Sequence, residues 1–502
     1  MLFLFHFLLF GFLCDKIILL KAMKEGEFMK RKTCSLLLAL ALLFLIPAQA
    51  LALSENDWNA YWKSKERYAS VYVSPGHKES ERFFTWYGKE EGEGTVTLKG
   101  KNGEKTFSAK SEKTPQGDCI YKVYAFGLEN DEYSYICRSG GFSSEERTIT
   151  VSDKSDFSAL YVTDVHMTAS DGEEKLKSHA LSFGNTVEKA KNEYGASLIL
   201  SAGDQATKGL RDEYSAFVSS PALKTMTTAL SVGNHDRKGA DYKTFATLPY
   251  ESYPGIKSYV GRDYWFVKGN VLFLMIDSNC PDAGAHRSFM QSAVLKNKDV
   301  KWRVVVMHHD LFGGRLAHRE NENRLLRLLY VPLMDEFDVD LVLTGHSHYY
   351  TRSNVIKGGI STLKTKDLSS VSNANGTIYM TSGSFTTNTR AAESTEIPPL
   401  GNRVGFDYLT AEGIFNILSF SENSIKISSF TVSGEEPFSE FTIEKTEKRS
   451  PIRLKPAPLW NGFARSVSRI AAVFNNIAMA DELKNKCGLE IDMRQAIFGC
   501  DK

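Results

Sequence analysis

Hydrophobic positions fall along the chain in four successive rhythms. Residues 2–13 and 36–46 are almost continuously apolar, separated by a polar stretch that carries Lys30, Arg31 and Lys32. From about residue 71 to 151 the apolar positions alternate with polar ones or gather in short β-branched and aromatic runs, as at 82–87, 95–98 and 120–124, with Gly- and Asn-containing turns between them. This is an all-β pattern, and Leu128 followed by a turn and then Tyr133-Ser134-Tyr135 reads as the tyrosine corner of a β-sandwich. From about residue 156 compact apolar runs at 159–162, 197–200, 304–306 and 341–343 alternate with amphipathic stretches at 173–194 and 320–337. Short strands without polar alternation are expected where helices cover both faces of a sheet. Strands at 414–420 and 425–432 close this region near Ile443, and the polar stretch 361–375 reads as a surface loop or small insertion. Beyond Glu447, Pro451, Pro456 and Pro458 mark a linker. Trp460, Phe463, Val467, Ile470, Phe474 and Ile477 then recur at spacings of three and four, one face of a helix. A helix at 460–477 would dock on the body of the protein, with contact to a membrane surface or partner as the alternative.

The opening pattern is an address. A basic segment, an apolar run too short for a spanning helix of ~20 residues, and small residues at Ala48, Ala50 and Ala52 describe a secretory signal peptide cleaved near Ala50 or Ala52. The expected location is secreted or extracytoplasmic, with translation starting at Met29 or Met23 as a simple account of the first apolar run. Five cysteines follow the cleavage point: Cys119, Cys137, Cys280, Cys487 and Cys500. Export permits disulfides, and Cys119 with Cys137 and Cys487 with Cys500 are the candidate pairs, although spacing does not determine connectivity.

The 502 residues leave room for about three units, here a signal segment (1–50), a β-sandwich (67–153) and a large α/β domain (156–446) with a tail (447–502). Lysine and arginine total 61 against 60 acidic residues. Such a balance gives no support for wrapping nucleic acid.

The candidate chemistry lies at the ends of the apolar runs. In chain order these motifs are Asp164-Val165-His166, Gly203-Asp204, Gly233-Asn234-His235-Asp236, His308-His309 and Gly345-His346-Ser347-His348. Loops at the carboxyl ends of strands converge in α/β folds, so five such loops can build one site. Each motif alone is weak, but five of the eleven histidines fall in them before His309 is counted. Carboxylate, imidazole and amide donors without a thiolate suit two divalent ions such as Mn, Fe or Zn. The two oxygens of a carboxylate such as Asp204 can bridge a pair of cations, and such a pair clamps a phosphoryl group and generates hydroxide from water.

The ordered set resembles the calcineurin-like metallophosphoesterase superfamily over nearly all of residues 156–445. With a sandwich similar to fibronectin type III in front, the layout resembles purple acid phosphatases. The resemblance implies an α/β (α+β) protein, an N-terminal β-sandwich followed by a layered αββα catalytic domain. It implies that Asp164, His166, Asp204 and His348 hold one metal, and that Asp204, Asn234, His308 and His346 hold the second. His235 would contact the phosphate and protonate the leaving oxygen, and Asp236 would orient His235. His309 would line the pocket or simply follow a ligand. One departure stands out: the purple enzymes have Gly at the position of His166 and a ligating Tyr after Gly-Asp, whereas here Gln205-Ala206-Thr207 follows Asp204. Ferric-tyrosinate colour is therefore not expected.

The expectation is an exported binuclear metal-dependent phosphomonoesterase acting on a small phosphate ester through metal-bound hydroxide. The alternatives are a phosphodiesterase acting on nucleotides or lipid head groups and, from a different class, an inert secreted binding or adhesion module. Arg315, His318, Arg319, Tyr349, Tyr350 and Arg352 lie near the motifs and could bind substrate, but each reads first as a solvated loop or helix-surface residue.

Overall fold

The computed structural model describes residues 55–250, 263–280, 282–313, 320–386, 403–447 and 449. The signal segment, the 460–477 helix, Cys487, Cys500, Arg315, His318 and Arg319 lie outside them.

Two helices, Glu55–Trp62 and Lys65–Ala69, lead into the β-sandwich. One of its sheets joins strands Gly103–Lys110, Glu93–Gly100 and Asp131–Ser139, with Arg147–Val151 also paired to Asp131–Ser139. The facing layer is Tyr72–Pro75, Arg82–Gly88 and Cys119–Ala125. Tyr133, Tyr135 and Cys137 are buried while their neighbours in the strand are not, the two-residue period of a half-buried strand. Between the layers Trp86 stacks on Tyr121 with ring centroids 5.2 Å apart, beside Val96, Leu98 and Val123. The Tyr133 hydroxyl accepts the Glu129 amide at 3.0 Å, the upstream backbone contact of a tyrosine corner. Cys119, Cys137 and Cys280 are buried free thiols. The expected Cys119–Cys137 bridge is therefore absent; both cysteines serve as small apolar residues of the sandwich core.

The larger part is built on two sheets with helices outside them, the mixed α/β layering expected. Strands Phe157–Val162, Ala196–Ser201 and Thr227–Leu230 run parallel in the first sheet. Val271–Ile276, Trp302–Met307, Leu341–Thr344 and Ile378–Thr381 run parallel in the second. Strand Trp302–Met307 shows why such runs lack polar alternation. Val304 and Val306 pack into the core shared with the first sheet, whereas Val305 packs with Phe289, Met290 and Leu333 of helices Ala283–Lys296 and Glu320–Glu336. On the other side the helix Glu173–Tyr194 buries Leu176, Ala180, Phe183, Val187 and Ala190 at spacings of three and four. It stops at Gly195, whose left-handed φ of 64° lets its amide reach the carbonyls of Ala190 and Lys191.

The sandwich and the α/β part share a sheet. Tyr72–Pro75 pairs in parallel with Thr227–Leu230 through Val73 and Thr227, so eleven strands form one continuous path. Side chains tighten the junction. The Tyr72 hydroxyl donates to the Phe245 carbonyl at 2.6 Å, Tyr135 donates to the Lys224 carbonyl at 2.6 Å, and the buried Lys224 ammonium donates to the Val71 carbonyl at 3.1 Å.

Two local expectations differ from the structure. Within 361–375, Ile360–Leu363 pairs with Val355–Lys357, and Ser370–Ser372 pairs with Ser439–Glu444 at the end of the large sheet. Backbone pairing, which needs no apolar side chains, orders this polar stretch. Tyr349, Tyr350 and Arg352 are not solvated: all three are buried, and the Arg352 guanidinium lies 3.6 Å from the Phe441 ring centroid.

Candidate metal centre

All five motifs occupy loops that leave the carboxyl ends of parallel strands. Phe157–Val162 delivers Asp164 and His166, Ala196–Ser201 delivers Asp204, and Thr227–Leu230 delivers Asn234 and His235. The second sheet delivers His308 after Trp302–Met307, and His346 and His348 after Leu341–Thr344.

The loops are tight enough to force unusual backbone. Eight non-glycine residues among those described have positive φ, and five of them are Asp164, His166, Asp204, His346 and His348. Asp tolerates this region because its short side chain can bond locally; such clusters mark functional sites. The motif glycines have steric reasons. A Cβ on Gly233 would lie 2.0 Å from Asp204 Oδ1, and one on Gly345 would lie 1.9 Å from Thr163 Oγ1 and 2.4 Å from Asp164 Oδ2.

These loops bring acceptor atoms face to face. Asp164, His166 and His348 form one group, His166, Asp204 and His235 a second, and Asp164, Asp204 and His308 a third, with the ligand atoms of each group within 4.8 Å of one another. His166 Nε2 and His348 Nε2 are 3.2 Å apart, and both face Asp164 Oδ1, at 3.6 and 3.1 Å. That oxygen is buried and takes no hydrogen bond. His308 Nδ1 lies 3.0 Å from the Ala202 carbonyl, which can only accept, so Nδ1 carries the proton. His308 Nε2 then faces Asn234 Oδ1 at 2.9 Å and Asp204 Oδ2 at 3.4 Å. The His346 amide donates to Asp164 Oδ2 at 2.8 Å, and its ring centroid lies 5.0 Å from that of His308.

The electrostatics point the same way. Burial opposes charge on His308, yet the Asp204 and Asp164 carboxylates raise its pKa to about 9. Burial likewise opposes ionisation of Asp204, but His308 and His166 outweigh it and hold the carboxyl well below its ordinary range. The cluster thus retains positive charge among its carboxylates, and a divalent cation bound there would displace protons from the imidazoles. The orphaned Asp164 oxygen, the facing lone pairs and the oxygen and nitrogen donor set fit a pair of divalent metals.

One expected role differs in place. Asp236 does not orient His235. Its Oδ2 accepts the amides of Asp204 and Gly233, both at 2.8 Å, and its Oδ1 accepts the Ala206 amide and the Tyr214 hydroxyl, both at 3.2 Å. Its carboxylate thus braces the backbone of the two loops. His235 Nδ1 instead lies 2.9 Å from the Thr207 carbonyl and 2.8 Å from Lys238 Nζ, which is also 3.2 Å from Nε2. His309 sits at the rim, its Nδ1 2.9 Å from Ser278 Oγ and its ring centroid 4.5 Å from that of His346. Lys238 and Ser278 were not singled out in the sequence, and Thr207 was noted there only for not being a Tyr. A backbone carbonyl has no residue signature, and Ser278 lies outside the five motifs.

Residues 157–350 match the family model described as calcineurin-like phosphoesterase. A Mycobacterium tuberculosis protein, described only as uncharacterized, is 28% identical over 157 residues, 26% of this chain and 29% of that protein. Purple acid phosphatase 1 of Ipomoea batatas is 26% identical over 89 residues, 18% of this chain and 19% of that protein. The matched segments span under a third of these relatives' lengths. Among solved structures, purple acid phosphatase PPD1 from yellow lupin (Lupinus luteus) seeds superposes with a TM-score of 0.59 at 14% identity, covering 77% of each chain. PhoD superposes with a TM-score of 0.51 at 9% identity, over 81% of this chain and 98% of that one. At these identities the structural likeness speaks to the fold alone.

Proposed function

From the calcineurin-like phosphoesterase domain over residues 157–350, we propose that the protein is an exported phosphomonoesterase that works with two divalent metals. The observation that carries this reading is the three overlapping ligand groups that share Asp164, Asp204 and His166. Asp164, His166, Asp204 and His348 would hold one ion, and Asp204, Asn234, His308 and His346 the other. Bound there, the ions would supply Lewis acidity toward phosphoryl oxygens and lower the pKa of water.

The chain's own groups do the rest. The Thr207 carbonyl and the Lys238 ammonium hold the His235 ring in place, both within 2.9 Å of Nδ1. In the protonated ring, Nε2 can donate to the leaving oxygen as general acid. The Asp204 carboxylate accepts the His235 amide at 2.7 Å, so the carboxylate that would be shared by the two ions and the acid are tied by one hydrogen bond. Lys238 adds positive charge beside Nε2, where an anionic substrate would arrive. Export rests on the apolar run and small residues before Ala52, and a reporter fused to residues 1–60 should leave the cytoplasm if that reading is right.

Metal content and activity measured on one preparation test the function. Bound metal near two equivalents and faster hydrolysis of an aryl phosphomonoester than of the matching diester are expected. Equal rates on both esters would overturn the monoesterase assignment, and neither metal nor activity after addition of Mn, Fe or Zn would favour a binding module.

A further inference from the structure

A cavity of about 400 Å³ lies away from the metal ligands, where the helix Lys65–Ala69 and the residues before it meet the sandwich. Its apolar lining comes from Tyr68, Tyr87 and Phe142. Lys63, Lys65 and Lys89 also line it, and none of the three pairs with a carboxylate, while Glu90 is the one acidic residue of the lining. Lys89 Nζ stands 5.8 Å from the centroid of the Tyr68 ring. Tyr87 is 2% exposed, and its hydroxyl makes no hydrogen bond among the described residues. The hydroxyl keeps access to the cavity, where a ligand can serve as its partner. The Arg211 guanidinium, 3.8 Å from the Tyr87 ring centroid, is itself paired with Asp118 and is not that partner. Gly141 adds open space to the same wall, since a Cβ there would meet nothing within 4 Å.

We propose that this cavity binds a small organic anion with a flat apolar body, such as an aromatic carboxylate, sulfonate or phosphate. The ring lies among Tyr68, Tyr87 and Phe142, the anionic group faces the three lysines, and the Tyr87 hydroxyl donates to it. The volume is that of a small-molecule site, and the combination of aromatic walls with a few polar groups is the usual makeup of one. Three uncommitted ammonium groups against one carboxylate select the sign of the ligand's charge.

The test uses the full chain and 1-naphthalenesulfonate, followed by calorimetry or ligand-observed NMR. Saturable one-to-one binding with a Kd on the order of 100 µM is expected. The variant Lys63→Glu/Lys65→Glu/Lys89→Glu should weaken it at least about ten-fold, and Tyr87→Phe about five-fold, the loss of one hydrogen bond. Gly141→Trp, which fills the cavity from an open position, should abolish it. Circular dichroism checks that each variant is folded, so the outcome is independent of the phosphatase reading. Binding of 1-naphthylmethylammonium with equal affinity would overturn the proposal. So would displacement by inorganic phosphate, indifference to all three variants, or no saturable binding to the unaltered protein.

Discussion

Asp236 Oδ2 accepts the backbone amide of Asp204 at 2.8 Å and, from the same buried atom, the amide of Gly233. One carboxylate therefore ties together the loop that supplies the shared ligand Asp204 and the loop that supplies Asn234 and His235. Asp236→Ala would leave these amides buried without acceptors, at a cost of about 2–4 kcal/mol. A lower melting temperature together with lost metal is expected, read by thermal denaturation and metal analysis. Slower turnover at unchanged stability and metal content would instead mean that Asp236 acts through His235.

Gly345→Ala tests the steric reading of the Gly-His-x-His loop. Its Cβ would overlap Thr163 Oγ1 and crowd Asp164 Oδ2, both in buried side chains that cannot swing away. Overpacking of this kind costs about 1–3 kcal/mol. Metal affinity should fall with it, because Asp164 must move; wild-type metal content in a folded Gly345→Ala protein would contradict the tight-loop account.

Asp204→Asn and His235→Ala should separate binding from turnover. The first removes the charge shared by two ligand groups, so metal content should drop and activity vanish. The second removes the group held by the Thr207 carbonyl, so metals should stay while turnover falls about 10²–10⁴-fold. Loss of metal in His235→Ala would make His235 a ligand or a structural residue.

Iron loading offers a spectroscopic test of the departure at Thr207. Gln205, Ala206 and Thr207 follow Asp204 without a phenol, and the Thr207 hydroxyl lies 2.7 Å from that of Thr168. The iron-loaded protein should show no strong visible charge-transfer band. A purple colour would place a phenolate on the metal and overturn that expectation.

Lys224 gives a pH dependence at the junction with the sandwich. Burial lowers its pKa from 10.5 to about 8, with the Glu66 carboxylate opposing. Between these values the unfolded chain holds a proton that the folded one has released, so stability rises with pH across that window and is flat below it. The full effect is on the order of 3 kcal/mol. In urea unfolding, the stability of wild type relative to Lys224→Met should therefore increase from about pH 7 to about pH 10. An unchanged difference would mean that Lys224 is solvated in the folded state.

The sequence carried the parts of this structure that depend on side-chain type and periodicity. Helix Glu173–Tyr194 is legible because its buried face repeats regularly, and strand Ile414–Phe420 because it is a short run buried almost throughout. The five motifs are legible because ligand chemistry admits few residue types, and the structure gathers Asp164, His166, Asp204, His235, His308 and His348 into overlapping groups. What stayed hidden depends on backbone. The Thr207 carbonyl beside His235 and the pairing of Ser370–Ser372 with Ser439–Glu444 could be supplied by any residue. Asp236, which the resemblance placed beside His235 as its orienting group, instead directs its carboxylate toward three amides. The Cys119–Cys137 pairing failed because neighbouring strands in sequence lie in opposite layers of the sandwich.

The parallel pairing of Val73 with Thr227 has a consequence for anyone dividing this protein. Cutting between the sandwich and the α/β part would strip the strand that covers Thr227–Leu230 and leave its amides and carbonyls open along a new sheet edge. Such an edge is a template for intermolecular pairing. The isolated α/β fragment should therefore self-associate even with every metal ligand intact, and the sandwich is best regarded as the guard on that edge.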